Sequence, residues 1–417
     1  MISKLLWATL VAYATINLPA QAADITLKAE AAPSKFGDMF KDLVRAFEAR
    51  NPSIHVQVDT SQLDQTAMIS RTMRESVVGA LPDISFQGFN YLKLLAENGH
   101  IQPIDSFIAA DRNWTEKQYS PSVTAACGVD GKTYGLGVAF SFPIIYFNAN
   151  LVAEAQGGRK ELPSGWDGIL AVAQKIQKAH PIVLGVYTRY NSAMFQGYIR
   201  SRGGSLGNAD GTAVTFTDNK GMSVFDLFRR FGEAGQAKID MTDPQAQQAF
   251  VSGRIGIFVD SSSSLQGLTQ QVKGKFEIGT AHFPFAANGA RLPTLGLAVV
   301  LHTTDPVRQR AAWQFMSFVA GPEGQNIVGR ETGYVPANEV PVSHPELLGD
   351  YYKANPAIKA ALASTPYAAP WYAFRGPNAA RVDTLIANRL QQIVTLQQPP
   401  ANAAESLARE VSSLIAK

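Results

Sequence analysis

Two hydrophobic periods alternate between Asp24 and Gly88, and this constrains the fold more than any other feature of the chain. "DITLKAE" alternates apolar and polar residues, as a half-buried strand does. "GDMFKDLVRAFEARNP" then spaces Met39, Phe40, Leu43, Val44 and Phe47 as one helical face, and stops at Asn51-Pro52. "IHVQVDT" returns to a period of two, and "TAMISRTMRESVVGALPDISFQG" reads as helix, turn and strand. A β-α-β-α-β order is the signature of an open α/β sheet with helices on its faces.

The same grammar continues. "GKTYGLGVAFSFPIIYFNANLV" reads as strand, crossing segment and strand, and "LPSGWDGILAVAQKIQKAHP" as a helix with Ser164 at its N-cap. "IVLGVYT" restarts a strand-helix alternation that runs to "GRIGIFVDSSSS". "LPTLGLAVVLH" opens a third block, followed by one helix over "PVRQRAAWQFMSFVAGPEGQNIVGRETG". Two helices close the chain: Asn378 to Leu396, with Val382, Leu385, Ile386, Leu390 and Ile393 on one face, and Ala403 to Ala416. With no internal repeat or long linker, this order predicts two α/β lobes between which the chain crosses more than once.

At 417 residues and 46% hydrophobic, the chain can build two substantial cores. Its 37 basic and 34 acidic residues leave a formal charge of +3 without a basic block, so nucleic acid is not an expected partner. "MISKLLWATLVAYATINLPAQAADI" has a basic n-region at Lys4, an apolar run from Leu5 to Ile16, and Ala20-Gln21-Ala22 as a small-x-small cleavage site. Residues 1–22 are therefore expected to be a secretory signal peptide. No cysteine follows the apolar run to carry a lipid, and Cys127, the single cysteine, has no intramolecular disulfide partner. A soluble periplasmic or extracellular product is expected.

Signals for chemistry are sparse. The six histidines form no metal-binding pair, a phosphate loop is absent, and the glycines fail the dinucleotide spacing. No cofactor or metal is expected. "VDSSSSLQG" lacks the GxSxG elbow, which leaves a serine-rich turn, a ligand-binding turn or a nucleophile open. "ALPDISFQGFNY" places Gln87 and Asn90 beyond a short strand, where ligands dock in open α/β sheets. Tyr334, in "ETGYVPAN", either plugs a lobe or faces a cleft. "AAPWYAFRGP" crowds Trp371, Tyr372, Phe374 and Arg375 between prolines, too short for a core strand and ahead of a helix.

Taken in order, the exported start, "ALPDISF", "FPIIYFNANLV" with "LPSGWDGIL", "GRIGIFVDSSSS", "PVRQRAAWQFMSFVAGPEGQNIVGRETGYVP" and "PWYAFR" resemble the extracellular solute-binding proteins of ABC importers. The likeness is to the carbohydrate-binding group, with the maltose-binding and glycerol-3-phosphate-binding proteins. It implies a two-lobed periplasmic-binding-protein (type II) fold closing like a flytrap about hinge strands. One lobe is expected over 23–140 and 292–336, the other over 141–285 and 337–417. The resemblance implies a monomer that takes a sugar, polyol or polyol phosphate and hands it to permease subunits. A secreted hydrolase acting on a saccharide or ester is the alternative.

Site residues follow from the same resemblance. Trp371 matches a ring-stacking tryptophan, and Arg375 a cleft arginine that in phosphate binders looks toward the phosphate. Tyr334, Gly296, Ser261 and, more loosely, Ser141 match phosphate or polyol contacts. Gln87 and Asn90 fall where sugar binders place a stacking aromatic and a hydrogen-bonding acid, and Asp64 near another contact. Asp64 and Phe89 replace the tyrosine and glutamate that hold glycerol in the phosphate-binding relatives, and their paired tryptophans are missing around Tyr190 to Gln196. A ring over the C–H face of a sugar, with Asp64, Gln87, Asn90 and Arg375 on its hydroxyls, would satisfy both halves of such a ligand.

Overall fold

The computed structural model describes residues 24–117, 119, 121–286, 288–374 and 378–415. The opening alternation forms β1 (Ile25–Ala31), α1 (Gly37–Glu48), β2 (Ile54–Asp59), α2 (Gln65–Val77) and β3 (Ile84–Gly88). Met39, Phe40, Leu43 and Phe47 are buried on α1, while Val44 is half-buried at the margin of the same stripe. The strands β1, β2 and β3 pair in parallel, as right-handed crossover units must.

The chain then leaves this sheet. β4 (Gly135–Ser141) belongs to it, but β5 (Pro143–Asn148), one residue later, belongs to a second sheet. That sheet is completed by β6 (Leu184–Thr188), β7 (Ile255–Ser261) and β8 (Ile278–His282), in the order β8-β5-β7-β6. The chain returns through β9 (Leu295–Leu301), which lies between β3 and β4, so the first sheet runs β2-β1-β3-β9-β4. It crosses again after Tyr334, and helices Ala379–Val394 and Pro400–Ile415 pack on helix Asn219–Glu233 beside the second sheet. Leu27, Phe40, Phe86, Val299 and Phe315 anchor one core, and Tyr146, Val186, Phe228, Ile257 and Leu390 the other.

Two sequence expectations change. Ser164 is not an N-cap: the helix is Trp166–Ala179, with Gly165 at the cap position and no side-chain cap. Trp166 decides the start, because its ring is locked among Tyr198, Phe231 and Phe283 at centroid distances of 5.3, 5.3 and 5.4 Å. The expected single helix after Asp305 is two, Pro306–Ala320 and Pro322–Glu331. Gly321 is extended between them, since a residue ahead of proline is driven out of the helical region.

Candidate functional site

Two adjoining cavities lie between the sheets and share Asn90 in their walls. The smaller, of 440 Å³, is polar. Asp64 enters at the N-cap of α2, Ser141 at the end of β4, Ser261 at the end of β7, Gly296 on β9, and Tyr334 just after helix Pro322–Glu331. Asn90, Asp64, Ser141, Ser261, Gly296 and Tyr334 are therefore brought to one cavity by the fold. The larger, of 810 Å³, carries Trp371, Tyr372 and Phe374 on one side and Ile69, Met73 and Tyr91 on the other. Arg375 lies outside the described residues.

The local geometry of each group has a cause. One Asp64 oxygen caps α2 by accepting from Ala67 N at 2.8 Å, which leaves the exposed second oxygen available. Gly296 has φ +128, and a Cβ there would lie 1.8 Å from the carbonyl oxygen of Ala139, so only glycine lets β9 run this close to β4. Tyr334 is buried, with its ring edge-on to Phe36 at 5.4 Å. Burial pushes its phenol up to about 12, opposed by the Ser263 hydroxyl, so it stays a neutral donor at any physiological pH.

The serine turn is wired structurally. Ser261 Oγ accepts from Ser263 N at 3.2 Å, Ser262 Oγ accepts from Phe142 N at 3.2 Å, and Ser264 Oγ donates to Asp260 at 3.0 Å. The same fully buried Asp260 takes Arg189 Nη1 at 2.7 Å and the amide of Ser261 at 2.7 Å. It thereby fixes the hydroxyl row on the wall of the small cavity.

Gln87 is not in either wall. It is fully buried in β3, and its amide nitrogen donates to Thr72 Oγ1 and Ser85 Oγ at 2.9 Å each. β3 is a central strand covered on both faces, so the position beyond its end that suits a ligand begins only at Asn90.

Sequence reasoning missed Lys35, Gln65 and Arg189, all in the wall of the polar cavity, where Ser263 of the serine turn joins Ser261. Arg189 directly follows β6, so the rule that ligands dock beyond strand ends could have flagged it. Its guanidinium is occupied by Asp260 and Asp243. Lys35 forms no ion pair with a described carboxylate, and its ammonium lies over the Phe36 ring, 4.7 Å from the centroid. Crowding by neighbouring atoms lowers its pKa, opposed by Asp260 and reinforced by Arg189. Gln196 was missed as well. Its amide spans the backbone of Tyr372, donating to the carbonyl at 2.9 Å and accepting from the N–H at 3.2 Å. That clamp presents the Trp371 segment to the cleft. No group of side chains able to hold a metal ion is present among the described residues.

A family model described as bacterial extracellular solute-binding protein matches residues 42–360. The chain belongs to this family. A binding protein of Brucella abortus (strain 2308) is 24% identical to it over 415 residues, 95% of each chain. Among solved structures, UgpB from Mycobacterium tuberculosis in complex with glycerophosphocholine is 20% identical with a TM-score of 0.80, covering 92% of this chain and 97% of that one. The cyclic alpha-maltosyl-1,6-maltose binding protein from Arthrobacter globiformis is 18% identical with a TM-score of 0.79, covering 94% and 100%. At that identity the likeness establishes the two-lobed periplasmic-binding-protein fold. The family consists of solute binders and not of enzymes, which removes the hydrolase reading of the serine turn.

Proposed function

We propose that this solute-binding protein serves an ABC importer, capturing a carbohydrate or polyol derivative between its lobes and delivering it to a membrane permease. The observation that carries the reading is the meeting, at Asn90, of a hydroxyl-lined cavity with an aromatic one. A sugar offers a C–H face and a belt of hydroxyls. Trp371 and Tyr91 suit the first, while Asp64, Asn90, Ser141, Ser261 and Tyr334 suit the second, because buried hydroxyls left unpaired are costly. The relatives that bind cyclic alpha-maltosyl-1,6-maltose and glycerophosphocholine agree with such a ligand class.

A phosphorylated polyol is the second reading, favoured by the ammonium of Lys35 at the polar end, which holds no carboxylate among the described residues. We assign 23–140 with 292–336 to one lobe and 141–285 with 337–417 to the other, the leader 1–22 being removed on export without lipid attachment. A ligand touching both walls stabilises the closed arrangement selectively, and that selectivity is what shifts the population toward the form a permease recognises.

A thermal-shift screen of the full mature chain over neutral sugars, polyols and their phosphates tests the proposal. A binder raises the melting temperature by mass action, without turnover. Failure of every sugar, polyol and phosphate to bind, or binding that survives Trp371→Ala unchanged, overturns it.

A further inference from the structure

We propose that Glu30 and Glu75 share a single proton, and that this buried proton fastens α2, one wall of the cleft, to the first sheet. Glu30 sits near the end of β1, where its neighbours in register are Asp59 on β2 and Ser85 on β3. Glu75 lies on α2, one turn beyond Arg71. Arg71 brings the two acids together. Its Nη2 meets Glu30 Oε1 at 2.7 Å, its Nε meets Glu75 Oε1 at 2.7 Å, and its Nη1 meets Asp59 Oδ2 at 2.5 Å. Nε and Nη2 point from the same edge of a guanidinium, and that edge normally grips both oxygens of one carboxylate. Here two carboxyl groups take one donor each, so they are held side by side.

One cation therefore faces three carboxyl groups. Asp59 stays ionised, held down at about 2 by the Ser61 hydroxyl first and by Arg71. Asp59 and Arg71 balance each other, which leaves Glu30 and Glu75 without a cation of their own. The remaining oxygen of each, Oε2, is buried without a hydrogen-bond partner, and no other carboxylate oxygen among the described residues is in that position. Two adjacent buried acceptors with no donor are costly, whereas a proton on one makes it a donor to the other and satisfies both. Burial, and then the charge of Glu75, push the Glu30 carboxyl up to about 7. The charge of Arg71 opposes this shift, and the hydrogen bond to Glu75 adds to it.

No other charge nearby replaces the proton. Lys28, on the same face of β1, is exposed. His302, near enough to feel the charge of Glu75, is kept neutral by burial, and Asp83 is held by Arg308. The fastening bears on the cleft because α2 supplies part of each cavity wall. Its cap Asp64 and its first residue Gln65 line the polar cavity, while Thr66, Ile69 and Met73 line the aromatic one. An α2 that lifts away returns both acids to water, where a glutamate titrates at its ordinary 4.5. Between 4.5 and about 7 the fastened form thus binds more protons than the lifted one. The contribution is fully present below pH 4.5 and is lost as pH rises through about 7. The device works whatever solute the cleft takes.

The test uses the full mature chain without solute. With carbon-13 in its glutamate carboxyls, the wild type should show by NMR a carboxyl that titrates near neutrality and is absent from both Glu30→Gln and Glu75→Gln. Glu331, raised by burial and by the charge of Asp42, remains in both variants as a control. Amide-exchange protection along α2, corrected for the intrinsic rate, should fall roughly tenfold in the wild type between pH 6 and pH 8.5. Either variant should hold its protection level over that range, because a glutamine amide donates to the remaining carboxylate at every pH. Circular dichroism checks that the variants fold, and the wild-type titration needs no variant. A wild type whose only glutamate titrating near neutrality persists in both variants overturns the shared proton. Protection of α2 that stays level in the wild type, or falls in parallel in the variants, overturns the fastening. Because no solute takes part, failure here leaves the cleft reading untouched.

Discussion

Acidification should act on this protein through His302. The ring is buried directly beyond β9, where Nδ1 meets the carbonyl of His100 at 2.7 Å and Nε2 meets Ser85 Oγ at 2.7 Å. Only one tautomer satisfies both: Nδ1–H donates to the carbonyl, and Nε2 accepts the serine hydroxyl. Ser85 Oγ in turn accepts from Gln87, which also donates to Thr72, and Thr72 donates to the carbonyl of Met68 on α2. Every proton in this chain has a direction, so a second proton on His302 would make Ser85 Oγ accept from Nε2–H as well as from Gln87 and would strip the Ser85 proton of its acceptor.

Burial lowers the His302 pKa to about 4 from an ordinary 6.5, although the bond to His100 and the charges of Glu75 and Asp83 pull the other way. Between those values the unfolded chain binds more protons than the native one, so stability is fully present above pH 6.5 and is lost as pH falls toward 4. The loss from this group is about 2 kcal/mol by pH 5 and about 3 kcal/mol by pH 4. Urea unfolding of wild type and His302→Gln at pH 7, 6, 5 and 4 isolates it, because the other titrating groups are common to both chains. The free-energy difference between the two should move by about 3 kcal/mol in favour of the variant across that range. Parallel pH profiles, or an imidazole that titrates by NMR near its ordinary value, would refute the reasoning.

Gly296→Ala should destabilise by roughly 2–5 kcal/mol, since it combines a left-handed backbone with a Cβ driven into the Ala139 carbonyl. An unfolding free energy within about 0.5 kcal/mol of wild type, the range of an ordinary surface substitution, would contradict the close approach of β9 and β4. Trp371→Ala should cost about 1–3 kcal/mol of binding for the sugar or polyol found by screening, with little change in unfolding, because the ring is half-exposed. Gln196→Leu should lower stability by about 1–3 kcal/mol by stripping both partners from the Tyr372 backbone, and should weaken the same ligand through a loosened Trp371. Unaltered affinity would show that the clamp does not position the ring.

The family, the α/β alternation and a crossing segment somewhere between Gly131 and Val152 were readable because each rests on local periodicity or on a motif that needs no partner. The same locality explains the misreadings. Nothing near Gln87 in sequence announces Thr72, and nothing before Ser164 announces that Trp166 will be held by Tyr198, Phe231 and Phe283. Proline at 322 was legible as a break, but the apolar spacing continues across it and masks the stop. Lys35 and Arg189 carry no motif. They matter only because one follows the first strand and the other follows β6, and the two sheets bring those ends together.

By itself, then, the sequence determined which segments are strands and helices, that two cores would form, and which aromatic segment stands out. Period and proline act within a few residues, so the chain carries them wherever it goes. The tertiary structure alone decided that Asp64, Asn90, Ser141, Ser261, Gly296 and Tyr334 share one cavity while Gln87 is sealed in a polar network behind it. Those residues span hundreds of positions. Their meeting depends on where the chain crosses between sheets, and that is set by the burial of both sheet faces at once.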